Sequence, residues 1–207
     1  VKVKVCGITN TADAVKAVEF GADALGFNFY PPSARYIAPE RARKILLELP
    51  RSLCKAALFV NEPREVVRKV IEICSRADGE PLFTALQFHG DESPDDCRDW
   101  DFKVIKAFRI RDESSVKKID VFPADFYLLD SWNPGYGGSG EAFSWDWARR
   151  LKTDRLILAG GLGFENVTEA IRTIHPYGVD VCTGVEATPG IKDHEKLKRF
   201  IETAKAA

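Results

Sequence analysis

Short apolar runs alternate with amphipathic segments eight times along this chain, and that rhythm restricts its fold more than any other feature. Val3 to Cys6 reads as a strand, and Thr9-Asn10-Thr11 caps a helix over Ala12 to Phe20 that stops at Gly21. Strand and helix then repeat: Ala24 to Phe29 and Pro39 to Leu49, Cys54 to Val60 and Pro63 to Cys74, Leu82 to Phe88 and a short acidic helix near Asp95 to Trp100. The second half continues with Phe102 to Phe108 and a weak helix near Glu113 to Ile119. Next come Phe126 to Asp130, a glycine-rich loop over Gly135 to Gly140, and a helix around Trp145 to Leu151. Arg155 to Ala159 precedes a helix over Glu165 to Ile174, and Val179 to Cys182 precedes one over Lys192 to Ala204.

Strands that alternate with helices imply a parallel sheet. Eight such units predict closure into a (β/α)₈ (TIM) barrel of the α/β class. All 207 residues, 1–207, would form one domain, since no linker or charge run divides the chain. That is compact beside the usual length of about 250 residues. An open doubly wound sheet is the competing layout, but it places its glycine-rich turn after the first strand. Here the glycines gather after strands six, seven and eight.

Charge excludes some classes of function. Lys and Arg number 30 against 31 Asp and Glu, and they are scattered. Binding to nucleic acid or to an anionic membrane surface is therefore not expected. No apolar run approaches the roughly 20 residues of a membrane helix. The N-terminus alternates like a strand and lacks the apolar block of a signal peptide. A soluble cytoplasmic protein is the expectation. The five cysteines are widely spaced with no CxxC, which argues against a disulfide framework or a zinc site. Cys54, Cys74 and Cys97 read as small buried hydrophobes.

In such barrels chemistry sits at the C-terminal ends of the strands. The reactive residues there are Cys6, Asn28, Asn61, His89, Lys106, Asp130 and Asp180, with Arg35 in the loop after strand two. Gly160-Gly161 follows strand seven and Thr183-Gly184 follows strand eight. Loops at those two places bind a phosphate in many barrels, through close-approaching glycine N–H groups and a short helix N-terminus. A thiol at Cys6 can act as a base if its pKa falls, and a desolvated Asp130 can act as an acid. Periodicity alone favours a core cysteine at position 6. It leaves Asp130 open to a loop-capping role, Arg35 to a surface role and His89 to loop packing.

The ordered motifs resemble the phosphoribosylanthranilate isomerase family of tryptophan biosynthesis. They are Lys4-Val5-Cys6-Gly7-Ile8-Thr9, Gly26-Phe27-Asn28-Phe29, Ser33-Ala34-Arg35-Tyr36-Ile37, Phe59-Val60-Asn61 and Gln87-Phe88-His89-Gly90. Gly137-Gly138-Ser139-Gly140, Ala159-Gly160-Gly161-Leu162, Glu165-Asn166-Val167, Asp180 to Glu186, and Pro189-Gly190 to Lys192-Asp193 complete the set. The resemblance implies an isomerase that performs an Amadori rearrangement on N-(5-phosphoribosyl)anthranilate. It makes Cys6 the general base at the sugar C2 and Asp130 the general acid at the furanose ring oxygen. It gives Arg35 the anthranilate carboxylate, lets His89 and Asp180 orient the substrate, and gives Gly160, Gly161, Thr183 and Gly184 the phosphate. It implies no metal and no organic cofactor, and a small phosphorylated molecule as the partner. Phe88 stands where the family usually has Leu, and Cys182-Thr183 where Ser-Ser is common, so a hydroxyl contact from position 182 is lost.

Two other readings compete. A related phosphate-binding barrel isomerase of histidine biosynthesis would carry a carboxylate on strand one and two phosphate sites. A non-catalytic phosphate-ligand binding barrel would keep the glycine loops without an acid and a base on different strands. Monomer and homodimer both fit the sequence.

Overall fold

The computed structural model describes residues 1–112, 115, 119–131, 145, 148–151 and 153–207. Eight parallel strands close a ring in sequence order: β1 (Lys2–Val5), β2 (Ala24–Asn28), β3 (Cys54–Phe59), β4 (Ala85–Phe88), β5 (Lys103–Ile110), β6 (Phe126–Ser131), β7 (Leu156–Leu158) and β8 (Gly178–Val181). Ring closure pairs β1 with β8, placing Lys4 opposite Asp180 and Val5 opposite Val181. Among the described residues, five α-helices surround the ring: α1 (Thr11–Glu19), α2 (Pro39–Glu48), α3 (Arg64–Ile73), α4 (Val167–Ile174) and α5 (His194–Ala206). The expected barrel is thus observed. Between β8 and α5 lies a small antiparallel pair, β9 (Glu186–Thr188) with β10 (Ile191–Lys192), which the sequence pattern did not reveal.

Local chemistry explains the helix ends. Asn10 Oδ1 accepts from Asp13 N at 2.9 Å, and Asp193 Oδ1 accepts from Glu195 N and Lys196 N at 3.0 Å each. These side chains satisfy N–H groups that the first turn leaves without partners. In α5 the buried residues Leu197, Phe200, Ile201 and Ala204 follow helical spacing. That face packs on β1, α1 and α4. Burying each large side chain contributes about 1.5 to 3 kcal/mol.

The strands sort their side chains by parity. Outward residues such as Val3, Val5, Leu129, Leu158 and Val179 join the layer under the helices. Inward residues Ala56, Ala85, Ile105, Ala107, Leu128, Ile157 and Ala159 fill the lower barrel. Polar inward residues therefore collect at the C-terminal mouth.

The fourth unit departs from expectation. Residues 95–100 form turns rather than a helix. Asp96 Oδ2 accepts from Ser93 N and Oγ at 2.8 and 2.7 Å, and Asp99 adopts a left-handed φ of 57°. A short acidic stretch with competing side-chain acceptors has no reason to prefer a helix. The glycine-rich loop 135–140 and most of the segment 113–119 lie outside the described residues. Of the helix expected over 145–151, a 3₁₀ turn at Ala148–Arg150 is described. Among the described residues, no helix is long and apolar enough to cross a membrane.

Candidate active site

Parity on β1 turns Lys4 and Cys6 inward together. Lys4 Nζ donates to Asp180 Oδ1 of β8 at 2.9 Å, with both side chains almost fully buried. The same ammonium also acts on Cys6 through its charge. Burial works against the Lys4 charge, but the combined pull of Asp180 and Cys6 raises its pKa overall. The fall that would make Cys6 a ready base is not found: burial pushes the thiol up, Lys4 pulls it back, Asp180 adds to the rise, and Lys192 also pulls it back. Burial likewise raises the Asp180 carboxyl, against the pull of Lys4. Room for this group comes from Gly26 on β2, where a Cβ would stand 2.8 Å from Cys6 Sγ and 3.0 Å from Lys4 Nζ.

Asp130 faces the same mouth from the end of β6. Its Oδ1 accepts from Ser131 N at 2.8 Å, and its Oδ2 lies 3.2 Å from His89 Nε2. The other ring nitrogen of His89, Nδ1, lies 2.9 Å from Gln87 Nε2. Gly160 adopts φ +81°, and a Cβ there would collide with Ser131 and stand 2.9 Å from Asp130 Oδ1. Glycine at 160 is thus needed both for the turn and for the carboxylate beside it.

The two glycine loops meet as expected. A hollow of 220 Å³ is bounded by Gly161, Leu162, Gly163, Glu165, Asn166, Thr183 and Gly184. A smaller one of 50 Å³ is lined by residues running from Gly160 and Thr183 to Asp130 and Asp180. Asn166 shapes the first loop: its Oδ1 accepts from Gly163 N and its Nδ2 donates to Gly161 O, each at 2.9 Å. A Cβ on Gly184 would collide with Leu162 O, so the loops approach as closely as backbone allows. Thr183 opens a 3₁₀ turn, Thr183–Val185. Backbone N–H groups and a helix start beside glycines suit a phosphate. A hollow of 460 Å³ at the opposite, N-terminal mouth is lined by Phe126, Tyr177 and Leu53 among others, and of the groups above it touches Lys4.

Arg35 reaches the site from the loop after β2. Its Nη2 and Nε donate to Glu186 at 2.6 and 3.2 Å. Glu186 also accepts from Gly190 N at 3.1 Å and pairs with Lys192 at 3.3 Å. Burial opposes the Glu186 charge, but Arg35 and Lys192 hold its carboxyl below the usual range.

The structure therefore brings Cys6, Asp130, His89, Asp180, Gly160, Gly161, Thr183, Gly184 and Arg35 to one end of the barrel. Three other candidates serve loops. Lys106 faces outward and forms a buried pair with Glu92 at 2.7 Å. Asn61, at φ 54°, accepts from Asp91 N at 2.6 Å. Asn28 accepts from Tyr30 N and donates to Ser33, which folds the loop that carries Arg35. Sequence reading missed Lys4, Gln87, Glu186, Lys192 and the bracing role of Asn166. Lys4 was detectable, because it shares the inward parity of Cys6.

A family model described as N-(5'-phosphoribosyl)anthranilate (PRA) isomerase matches residues 3–203. The N-(5'-phosphoribosyl)anthranilate isomerase of Trichlorobacter lovleyi is 47% identical across 100% of this chain and 99% of its own length. That of Pelobacter propionicus is 45% identical across 99% and 96%. The crystal structure of phosphoribosyl anthranilate isomerase from Thermotoga maritima superposes with a TM-score of 0.89 at 44% identity, covering all of both chains. A phosphoribosyl anthranilate isomerase solved in complex with reduced 1-(o-carboxyphenylamino)-1-deoxyribulose 5-phosphate gives 0.84 at 40%, again covering both chains fully. A match over nearly the whole length, joined to a barrel mouth of this composition, leaves one assignment: the chain belongs to the N-(5'-phosphoribosyl)anthranilate isomerase family.

Proposed function

We propose that this chain catalyses the Amadori rearrangement of N-(5-phosphoribosyl)anthranilate to 1-(2-carboxyphenylamino)-1-deoxyribulose 5-phosphate, with Cys6 as base and Asp130 as acid. One observation carries the reading: a thiol just past β1 and a carboxyl on β6 face one mouth beside a glycine-lined hollow. The substrate needs a proton at its ring oxygen and loses one at C2. Asp130 delivers the first, the C1–O bond breaks, and the anthranilate nitrogen closes a C1=N⁺ iminium. The Cys6 thiolate then removes the C2 proton, giving an enolamine that tautomerises to the aminoketose. Both steps are general acid–base catalysis and need no redox partner.

Lys4 supports the base. A thiolate in a buried site needs a counter-charge, and the Lys4 ammonium stands between Asp180 and Cys6. Gly160, Gly161, Thr183 and Gly184 hold the phosphate by backbone donors. Arg35 receives the anthranilate carboxylate through guanidinium donors that Glu186 does not take; two of its five are engaged. His89 and Asp180 orient the sugar. The setting is a soluble, cytoplasmic biosynthetic enzyme acting on a small phosphorylated molecule.

The test is turnover of N-(5-phosphoribosyl)anthranilate, followed by loss of anthranilate-type fluorescence. Conversion is expected in the wild type, with much slower conversion in Cys6→Ser. Binding without conversion would overturn the enzyme reading.

A further inference from the structure

Gln87 is fully buried on β4, at the inward parity shared with Ala85 and His89. Its partners across the sheet are Leu58 on β3 and Ile105 on β5, both apolar. Among the described residues its Oε1 meets no hydrogen-bond partner, while its Nε2 lies 2.9 Å from His89 Nδ1. A buried amide with one end unmatched is costly, and an apolar side chain of the same size would serve packing better. The His89 contact is what the amide achieves.

That contact bears on the acid. His89 Nε2 is 3.2 Å from Asp130 Oδ2. The amide Nε2 is a donor, so His89 Nδ1 accepts and the ring proton sits on Nε2, facing Asp130. Asp130 is thereby held on both oxygens, Oδ1 by Ser131 N at 2.8 Å and Oδ2 by the ring.

We infer that Gln87 is a positioning residue for the acid: its amide donates to His89 Nδ1 and so fixes both the ring and the tautomer that presents Nε2–H to Asp130 Oδ2. The inference rests on the acid role given to Asp130 above.

Three measurements test it. The chain has three histidines, so the ¹⁵N signals of His89 can be assigned against His89→Asn and read for tautomer. The wild-type ring is expected to carry its proton on Nε2, and Gln87→Met is expected to weaken that preference. Gln87→Met should lower kcat about tenfold or more with KM changed less than about threefold, because the contact acts on proton transfer. Its Tm should not fall, since an unmatched amide has been replaced by an apolar chain. Gln87→Glu, an acceptor in place of the donor, should put a proton on Nδ1 and lower kcat about a hundredfold. A wild-type ring protonated on Nδ1, a Gln87→Met enzyme at wild-type kcat, or a kcat loss that merely tracks a fallen Tm each overturns the inference. If Gln87→Glu does not fold, the wild-type spectrum and Gln87→Met still decide. Absence of wild-type turnover condemns the isomerase reading instead.

Discussion

Arg35 and Glu186 form a two-pronged ion pair, 2.6 and 3.2 Å, that ties the loop after β2 to the start of β9. The guanidinium is aimed before any substrate arrives. Arg35→Ala should raise KM by about tenfold to a hundredfold, the worth of a charge-assisted hydrogen bond, with a smaller change in kcat. Glu186→Gln should raise KM only severalfold, because it loosens the aim and leaves the charge. Steady-state kinetics on both variants check this. An unchanged KM in Arg35→Ala removes it from the carboxylate site.

Glu186 also sets a pH limit on stability. Its folded-state pKa lies below the ordinary 4.5. Its ionised form therefore stabilises the fold at neutral pH, and that contribution is lost as pH falls below 4.5 and through the folded value. Tm should drop over that acid range in the wild type. In Glu186→Gln the drop should be shallower, from a Tm already lower at pH 7. Parallel curves would show that another group controls the transition.

Asp130→Asn keeps the size of the side chain and removes the proton. Loss in kcat should reach about a hundredfold to ten-thousandfold, with KM far less affected. Turnover near the wild-type rate would dismiss Asp130 as the acid.

Lys4→Met strips the counter-charge from Cys6. The thiol, already raised by burial, should rise further, because the pull of Lys4 on it exceeds the push of Asp180. The acidic limb of the kcat/KM profile, which reports the free base, should move to higher pH. Leaving Asp180 buried without a partner should also cost about 3 kcal/mol, read by urea unfolding. A profile unmoved on the pH axis would separate Lys4 from the base.

Gly184→Ala puts a methyl group into Leu162 O and forces the two phosphate loops apart. Inorganic phosphate, used as a competitive inhibitor, should bind at least about tenfold more weakly, with kcat reduced less than kcat/KM. Equal inhibition in the variant would place the phosphate elsewhere.

Much of this was legible in the sequence. Short apolar runs and glycine placement located β7, β8 and their loops, because a parallel barrel repeats one local rule eight times. Cys6 and Asp130 stood out as polar interruptions of apolar runs. The turns at 95–100 were misread because a short amphipathic stretch gives helix and turn the same pattern. Asp99 in a left-handed conformation is a choice that spacing does not encode. Lys106 was placed at the mouth, yet its parity sends it to Glu92. The partnership of Arg35 with Glu186 spans 151 residues and belongs to three-dimensional closure alone. The same holds for Gln87, whose role depends on which group faces His89.

The pairing of Lys4 with Asp180 joins the first strand to the last, residues 176 apart along the chain. Until those two strands meet, Lys4 has no carboxylate partner and the phosphate loop after β8 has no place beside β1. Catalytic competence therefore requires ring closure, because the first seven strands hold Cys6 and Asp130 without Asp180 or the second phosphate loop. Recovery of turnover on refolding should lag recovery of helical signal, and the delay measures how long the seam takes to seal.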